Sequence, residues 1–247
     1  VLSVVAAGSF LLFPTRLREQ LLPHFVSFAI GALLGAAFLA LLPHAITSGS
    51  VVDVHTIGLT VLIGILSFFI LEKMVLWRHC HAAHCEAHVP DHDHHDKPEQ
   101  AAGVLILIGD GLHNLVDGVL IAAAFMTDIH LGIVTSLAVA AHEIPQEVGD
   151  FAVLLNSGFK RGKAFIFNIL ASTTTVIGAL LAYFGLQGME SLLPFVLAIA
   201  ASSFIYIAVA DLIPGLHKRT HMAATLQQIA LIVAGVAVIY IAHSTLH

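Results

Sequence analysis

The chain has 247 residues, of which 58% are hydrophobic and only 11% are charged, and its mean hydropathy is +0.93. So few charges exclude a soluble globular domain of this size and favour a polytopic helical membrane protein. The net charge of −6 excludes little, because the position of the charges matters more than their sum. Only two cysteines occur, Cys80 and Cys85, and both lie in one His-rich segment, which argues against a disulfide framework.

Eight apolar runs follow one another along the chain: Val1–Phe13, Phe25–Ile46, Val54–Leu76, Ala101–Met126, Ile129–Leu155, Gly162–Leu186, Leu192–Ile213 and Met222–Ala242. Seven of them are long enough to cross a hydrocarbon core of about 30 Å. The first begins with Val and is short, so we expect a first helix that is truncated at its start. It lacks the basic region and the cleavage site of a signal peptide. The predicted fold is an all-α integral membrane bundle of eight transmembrane helices, in a single domain over residues 1–247.

The basic residues alternate between the gaps that separate these runs. All ten lie in or beside the first, third, fifth and seventh gaps: Arg16, Arg18, Lys73, Arg78, Lys97, Lys160, Arg161, Lys163, Lys218 and Arg219. The second, fourth and sixth gaps carry none. Because loops rich in Lys and Arg stay in the cytoplasm, this alternation predicts that both termini lie outside, and it independently supports eight spans.

The third gap, residues 79–100, is the one long polar segment, and we expect it to be a cytoplasmic loop. It contains nine candidate metal ligands: His79, Cys80, His81, His84, Cys85, His88, His92, His94 and His95. Cys, His and Asp together suit transition metals, so this loop is expected to receive, buffer or sense metal. The alternative is a solvated linker that is His-rich without a specific role.

The fourth run carries a polar stripe at bilayer depth, where an ionisable side chain is by default a functional hypothesis. Asp110, His113, Asn114 and Asp117 fall within an arc of roughly 100° on a helix. His113 and Asp117 are four residues apart and share one face, so both could hold one ion. Asn114 offers a neutral oxygen ligand one residue further round the helix.

The fifth run carries a second stripe within an arc of roughly 140°: His142, Glu143, Gln146, Glu147 and Asp150. Pro145 cannot donate a backbone hydrogen bond, so it should free the Ala141 carbonyl and kink the helix. Helix-to-helix polar pairing is the simpler interpretation, and we adopt it for Asn168, Ser172 and Thr173–Thr175 of the sixth run. Carboxylates packed as densely as in the two stripes require a cation, several protons, or both.

Further candidates lie along the presumed path of an ion. His44, near the outer end of the second run, is a candidate entry ligand, with a plain surface histidine as the alternative. Asp211 in the seventh run and Asp150 are candidate exit ligands, and Asp110 is a candidate pathway residue. Glu72 and Lys73 are interpreted as an interfacial ion pair at the end of the third run. Gly111, Gly118 and Gly149 flank the stripes and are expected to allow close helix approach.

The motifs His-Asn-x-x-Asp-Gly (residues 113–118) and His-Glu-Ile-Pro-Gln-Glu-Val-Gly-Asp-Phe (residues 142–151) resemble the ZIP (Zrt/Irt-like) metal-transporter family. The likeness is greatest to its subgroup with His-Glu-x-Pro-His-Glu-x-Gly-Asp in the fifth span, and it covers the whole chain. It implies a ZIP-like helix bundle and import of zinc, or of another divalent ion such as Cd, Mn or Fe, through a binuclear-type site. The implied primary ligands are His113, Asp117 and Gln146, and the implied neighbouring ligands are Asn114, His142 and Glu143.

Glu147 also belongs to the signature, and two positions depart from the family pattern. Gln146 stands where the subgroup has His, and the sixth run offers Ser172 where some members supply Glu.

The metal ion is expected to be the transported substrate. The expected partners are divalent metal ions and the lipid bilayer, a homodimer is one assembly that the sequence allows, and no nucleic acid is expected. The compact chain favours the plasma membrane of a prokaryote.

Two other functions are weighed against transport. His142-Glu143-x-x-Gln146 is one residue away from the zincin motif His-Glu-x-x-His, which raises an intramembrane metalloprotease. Gln146 breaks that motif, so we expect no enzyme. A membrane-anchored metal sensor or scaffold is the stronger alternative, with the loop as its metal site.

Overall fold

The computed structural model of the chain describes residues 8–9, 13–47, 53–82, 97–217 and 221–246. Most of the first apolar run and most of the His-rich loop fall outside these residues. The described residues form helices and contain no strand. Seven long helices, numbered in chain order, correspond to runs two to eight: α1 (Thr15–Gly35, continued by Ala36–Leu41 and Leu42–Thr47), α2 (Val54–Ala82), α3 (Lys97–Thr127), α4 (Ile129–Asn156), α5 (Arg161–Gly185), α6 (Glu190–Leu192, Leu193–Tyr206, Ile207–Leu212 and Ile213–Leu216) and α7 (Met222–Leu246).

Six of these helices are long and apolar enough to cross a membrane, and α4 is the exception. The 28 residues of α4 would reach about 42 Å, so its length is sufficient. Its composition differs because Glu143, Glu147 and Asp150 interrupt the apolar sequence, and the first two side chains are buried inside the bundle. The all-helical membrane bundle is thus confirmed, while the count of eight spans and the position of the termini stay predictions.

A π-helical segment interrupts α1 and another interrupts α6. Ala36–Leu41 ends two residues before Pro43, and Ile207–Leu212 ends two residues before Pro214. Proline has no N–H, and its ring clashes with the carbonyl of the preceding turn. Widening the helix by one residue relieves this clash, and such π segments often occur at functional sites. The two helices that carry them are also the most deeply buried of the candidate spans.

Glycines allow two pairs of helices to pack with their backbones almost in contact. A Cβ atom on Gly118 of α3 would lie 1.9 Å from the carbonyl oxygen of Thr175, and one on Gly178 of α5 would lie 2.0 Å from that of Leu115. Gly31 of α1 faces the carbonyl of Ile232 in α7 in the same way. The expected packing role of Gly118 is confirmed. Gly111 makes only an ordinary contact with Thr174, and Gly149 faces open space, so the expectation was wrong for Gly149.

The apolar core fills one half of the bundle along its length. Its fully buried side chains include Leu41 near the end of α1, Leu120 in the second half of α3, Leu131 near the start of α4, and Leu197 and Phe204 in α6. Leu41, Leu120, Leu131 and Leu197 lie at the same end of the molecule because α1 and α3 run in one direction and α4 and α6 run in the other. The other half contains the polar residues described next.

Candidate metal centre

Four potential ligands from α3 and α4 meet in the middle of the bundle. His113, Asp117, His142 and Glu143 each offer one ligand atom, and these atoms all lie within 4.8 Å of one another. Nε2 of His142 lies 3.2 Å from Oδ2 of Asp117 and 3.3 Å from Nε2 of His113. Nε2 of His113 lies 3.6 Å from Oδ2 of Asp117 and 3.9 Å from Oε1 of Glu143. We call these four residues the central cluster.

Three members of the central cluster are almost completely buried. Asp117 is 0% exposed, His142 is 1% exposed and Glu143 is 4% exposed, whereas the side chain of His113 is 22% exposed. Burying carboxylates in this way is costly unless a positive charge or a hydrogen-bond donor compensates them. The central cluster is therefore buried, acidic and accessible through His113.

The hydrogen bond of His142 to its own helix determines which ring nitrogen faces the cluster. Its Nδ1 lies 3.1 Å from the carbonyl oxygen of Ala138, and a carbonyl can only accept, so Nδ1 carries the proton. A neutral imidazole then presents the lone pair of Nε2 toward Asp117. Two acceptors facing each other at 3.2 Å require a cation between them, either a metal ion or a proton. Metal-ligating histidines are typically oriented by such a bond from the other nitrogen.

Asn114 lies beside the central cluster, and hydrogen bonds hold its carboxamide on both sides. Its Nδ2 donates to Oδ1 of Asp110 at 2.8 Å, and its Oδ1 accepts from the hydroxyl of Thr175 at 2.8 Å. Asp110 and Asn114 are both buried. Thr174 donates to the carbonyl of Gly111 at 2.6 Å, which adds a second bond from α5 to α3. The helix-to-helix polar pairing expected for the sixth run is confirmed for Thr174 and Thr175, whereas the Thr173 hydroxyl donates within α5.

We expect Thr175→Val to lower the free energy of unfolding by about 1 kcal/mol, because Asn114 loses a buried hydrogen bond while the shape of the side chain is kept. Thermal unfolding of the purified protein in detergent would measure this loss. Thr173→Val is the matched control, since the Thr173 hydroxyl donates only to the carbonyl of Leu170 in its own helix. Equal stability of the two variants would contradict the prediction.

A cavity of about 470 Å³ opens from the central cluster toward one end of the bundle. His113 lines its inner end, and its lining residues on the other helices lie in the second halves of α2, α4 and α6. Six further polar residues line it: Glu72, Gln146, Asp150, Ser203, Tyr206 and Asp211. The apolar core closes the opposite side of the cluster, where the ring of Phe204 packs against that of His142 at a centroid distance of 6.2 Å. Among the residues that the structure describes, the cluster is therefore open on the cavity side and closed by the apolar core on the other.

Sequence reasoning missed two contacts around this cavity. The hydroxyl of Tyr206 donates to the carboxylate of Glu72, so the expected interfacial pairing of Glu72 with Lys73 overlooked the partner across the helices. Phe204, which covers His142, looked like any other residue of an apolar run. A lone tyrosine in such a run was the available signal for the first contact, because its hydroxyl needs a partner when buried.

The remaining predicted site residues are distributed around the cluster. Glu147 is buried outside it, and its backbone carbonyl accepts a hydrogen bond from Asn168 at 3.2 Å. His44 lies at the far end of α1. The predicted loop ligands lie outside the described side chains: His79, Cys80, His81, His84, Cys85, His88, His92, His94 and His95. His142, an implied neighbouring ligand, lies 3.2 Å from Asp117 and 3.3 Å from His113, which are two of the implied primary ligands.

Comparison with known proteins identifies the family. The family model described as ZIP zinc transporter matches residues 1–243. The chain is 33% identical over 244 residues to zinc transporter ZIP13 of Pongo abelii and 32% identical over 253 residues to ZIP13 of Mus musculus, covering 91% and 90% of this chain and 69% of each relative. It is 37% identical over 150 residues to zinc transporter ZIP10 of Homo sapiens, which covers 58% of this chain and 18% of that protein.

These matches decide between the functions raised by the sequence. Members of the matched family are transporters and not enzymes, which agrees with the broken zincin motif. The apolar helices and the family match together show that the chain is an integral membrane protein that transports divalent metal ions. The relatives are animal proteins, so the prokaryotic plasma membrane has no support and is not proposed. The chain belongs to the ZIP zinc transporter family.

Proposed function

We propose that this chain moves a divalent ion, zinc in the first instance, through the central cluster and releases it into the cytoplasm. The observation that carries the proposal is the convergence of four ligand atoms within 4.8 Å, three of them on buried side chains. Two imidazoles and two carboxylates match the nitrogen and oxygen ligands of tetrahedral zinc sites. Cd, Mn and Fe are secondary candidates, because mixed nitrogen and oxygen ligation selects weakly among divalent ions.

The primary ligands that we propose are His113, Asp117, His142 and Glu143. Gln146 lines the cavity one turn beyond His142, and its neutral oxygen would take over the ion when it leaves the cluster. A neighbouring ion would find Glu147 and Asn114, although hydrogen bonds to Asp110 and Thr175 already engage Asn114. We therefore propose one tightly held ion, with the neighbouring position weaker.

The orientation of the cavity is inferred from the basic residues. The second half of α4 and the first half of α3 line the cavity, and these ends adjoin Lys160, Arg161 and Lys97. Since segments rich in Lys and Arg stay in the cytoplasm, the open side of the cluster faces inward. Asp150 and Asp211 line the way out, at positions suited to exit ligands. A binding site must also release its ion, and successive oxygen ligands along the cavity allow that.

Uptake of Zn²⁺, Cd²⁺ and Mn²⁺ into proteoliposomes tests transport against the sensor alternative. We expect deletion of residues 83–96, which spares the helical part of α2, to leave most of the uptake intact, because the path runs through the central cluster. We expect His113→Ala to abolish uptake. The sensor alternative predicts no uptake by the parent and loss of metal binding on deletion of the loop.

The eight spans, the location of both termini on the outer side of the membrane and the assembly as a homodimer stay predictions.

A further inference from the structure

A second pair of histidines lies at the end of the bundle opposite the cavity. His44 is near the end of α1 and His243 is near the end of α7. Their ring centroids are 5.4 Å apart, and the ring planes meet at 73°. Both side chains are half-buried. We call these two residues the outer pair.

The outer pair repeats the geometry of the two histidines in the central cluster. His113 and His142 have ring centroids 5.5 Å apart and an interplanar angle of 75°. One member of each pair also makes the same bond to its own helix. Nδ1 of His44 lies 2.9 Å from the carbonyl oxygen of Ala40, just as Nδ1 of His142 lies 3.1 Å from that of Ala138. His44 is therefore fixed in the tautomer whose Nε2 lone pair is a metal ligand.

This separation suits a shared metal ion. Two imidazoles bound to one tetrahedral zinc, with each Zn–N bond about 2.0–2.1 Å long, place their ring centroids roughly 5.2 Å apart. The outer pair at 5.4 Å is close to that value. The pair contains no carboxylate, so an ion bound by its two imidazoles would be held more weakly than in the central cluster, which supplies two.

The glycine contacts between α1 and α7 hold the two histidines at this distance. A Cβ on Gly31 would lie 2.0 Å from the carbonyl oxygen of Ile232, and one on Gly235 would lie 2.3 Å from that of Phe28. The contacts run in parallel, since Gly35 faces Ile239 further along both helices. Because the backbones of α1 and α7 are in contact, the two helices form a rigid parallel pair. His44 and His243 therefore face each other without a change in the packing of the helices.

We propose that the outer pair is a second, low-affinity metal site that captures the divalent ion before it reaches the central cluster. The proposal of a capture role rests on the proposed function, but metal binding by the pair does not. Fully buried apolar residues, among them Ala40, Leu41 and Phe204, separate the outer pair from the central cluster. An ion held there would wait on the closed side until that core opens.

Histidine footprinting tests the binding. Carbethoxylation of the full chain, read by peptide mass spectrometry, measures the reactivity of each imidazole with and without Zn²⁺. We expect Zn²⁺ to protect His44 and His243 together and to leave the exposed His55 unchanged. We also expect His243→Gln to remove the protection of His44, and we expect the protection to persist in Asp117→Asn, which disables the central cluster.

Three outcomes would overturn the binding proposal. They are equal reactivity of His44 with and without Zn²⁺, undiminished protection of His44 in His243→Gln, and loss of protection in Asp117→Asn.

For the capture role, proteoliposomes containing His243→Gln should show a several-fold higher half-saturating Zn²⁺ concentration with an unchanged maximal rate, and His55→Gln should behave like the parent. An unchanged half-saturating concentration would refute capture. Absence of uptake in the parent would instead refute the proposed function and leave the footprint valid.

Discussion

Asp117→Asn is expected to reduce zinc uptake by at least about 10–100-fold while the protein stays folded. The substitution keeps the size of the side chain but removes the carboxylate charge that lies 3.6 Å from His113 and 3.2 Å from His142 in the central cluster. Its amide also presents two hydrogens where a cation would bind. Initial rates of Zn²⁺ uptake into proteoliposomes, at equal protein density, would measure the effect.

The control for this prediction is Asp53→Asn. Asp53 is exposed and precedes the first turn of α2, away from the cluster, so the same chemical change should leave uptake close to that of the parent. Thermal unfolding of Asp117→Asn in detergent checks that the chain is folded. Uptake by folded Asp117→Asn at the rate of the parent would refute the central cluster as the path.

Gly118→Ala is expected to cost about 2–3 kcal/mol of stability or more, since overpacking forces the backbones of α3 and α5 apart. The added Cβ would lie 1.9 Å from the carbonyl oxygen of Thr175, and a backbone atom cannot move aside as the end of a flexible side chain can. Separation of the helices would also weaken the Thr175–Asn114 bond. Unfolding in detergent and zinc binding by the same samples would report both losses.

Gly149→Ala provides a control with the opposite sign. No atom lies within 4 Å of a Cβ built at Gly149, so this substitution relieves the glycine penalty within α4 and should stabilise the helix by up to about 1 kcal/mol. If Gly118→Ala were as stable as Gly149→Ala, the close contact between α3 and α5 would be disproved.

Hydrophobic runs predicted the helices well, because at bilayer depth every backbone group must be satisfied within its own segment. The predicted start of the fifth run, Ile129, is the start of α4, and its predicted end is one residue from the observed end. The start of α1 was placed ten residues too late, at Phe25 instead of Thr15. Arg16 and Arg18 were assigned to the gap before this run, yet both lie in the first turn of α1, and Pro23 lies inside the helix.

The candidate site was predictable in membership but not in arrangement. The spacing of His113 and Asp117 places both on one helical face, which requires no knowledge of other helices. How closely His142 approaches Asp117 depends on the offset between α3 and α4, and no local pattern encodes that offset. The resemblance implied His142 as a ligand of the neighbouring position, and the structure adds that its Nε2 lies 3.2 Å from Oδ2 of Asp117. Partners such as Tyr206 for Glu72 escaped prediction for the same reason.

The apolar core that closes one side of the central cluster also has an electrical consequence. The cavity opens the cluster to one bath, so the membrane potential is expected to fall mainly across the apolar half of the bundle that contains Leu131 and Phe204. Moving a divalent ion through the whole potential changes its energy by about 4.6 kcal/mol per 100 mV. An ion released into the cavity crosses little of that field, so voltage acts on the conformational step that opens the apolar half and not on release.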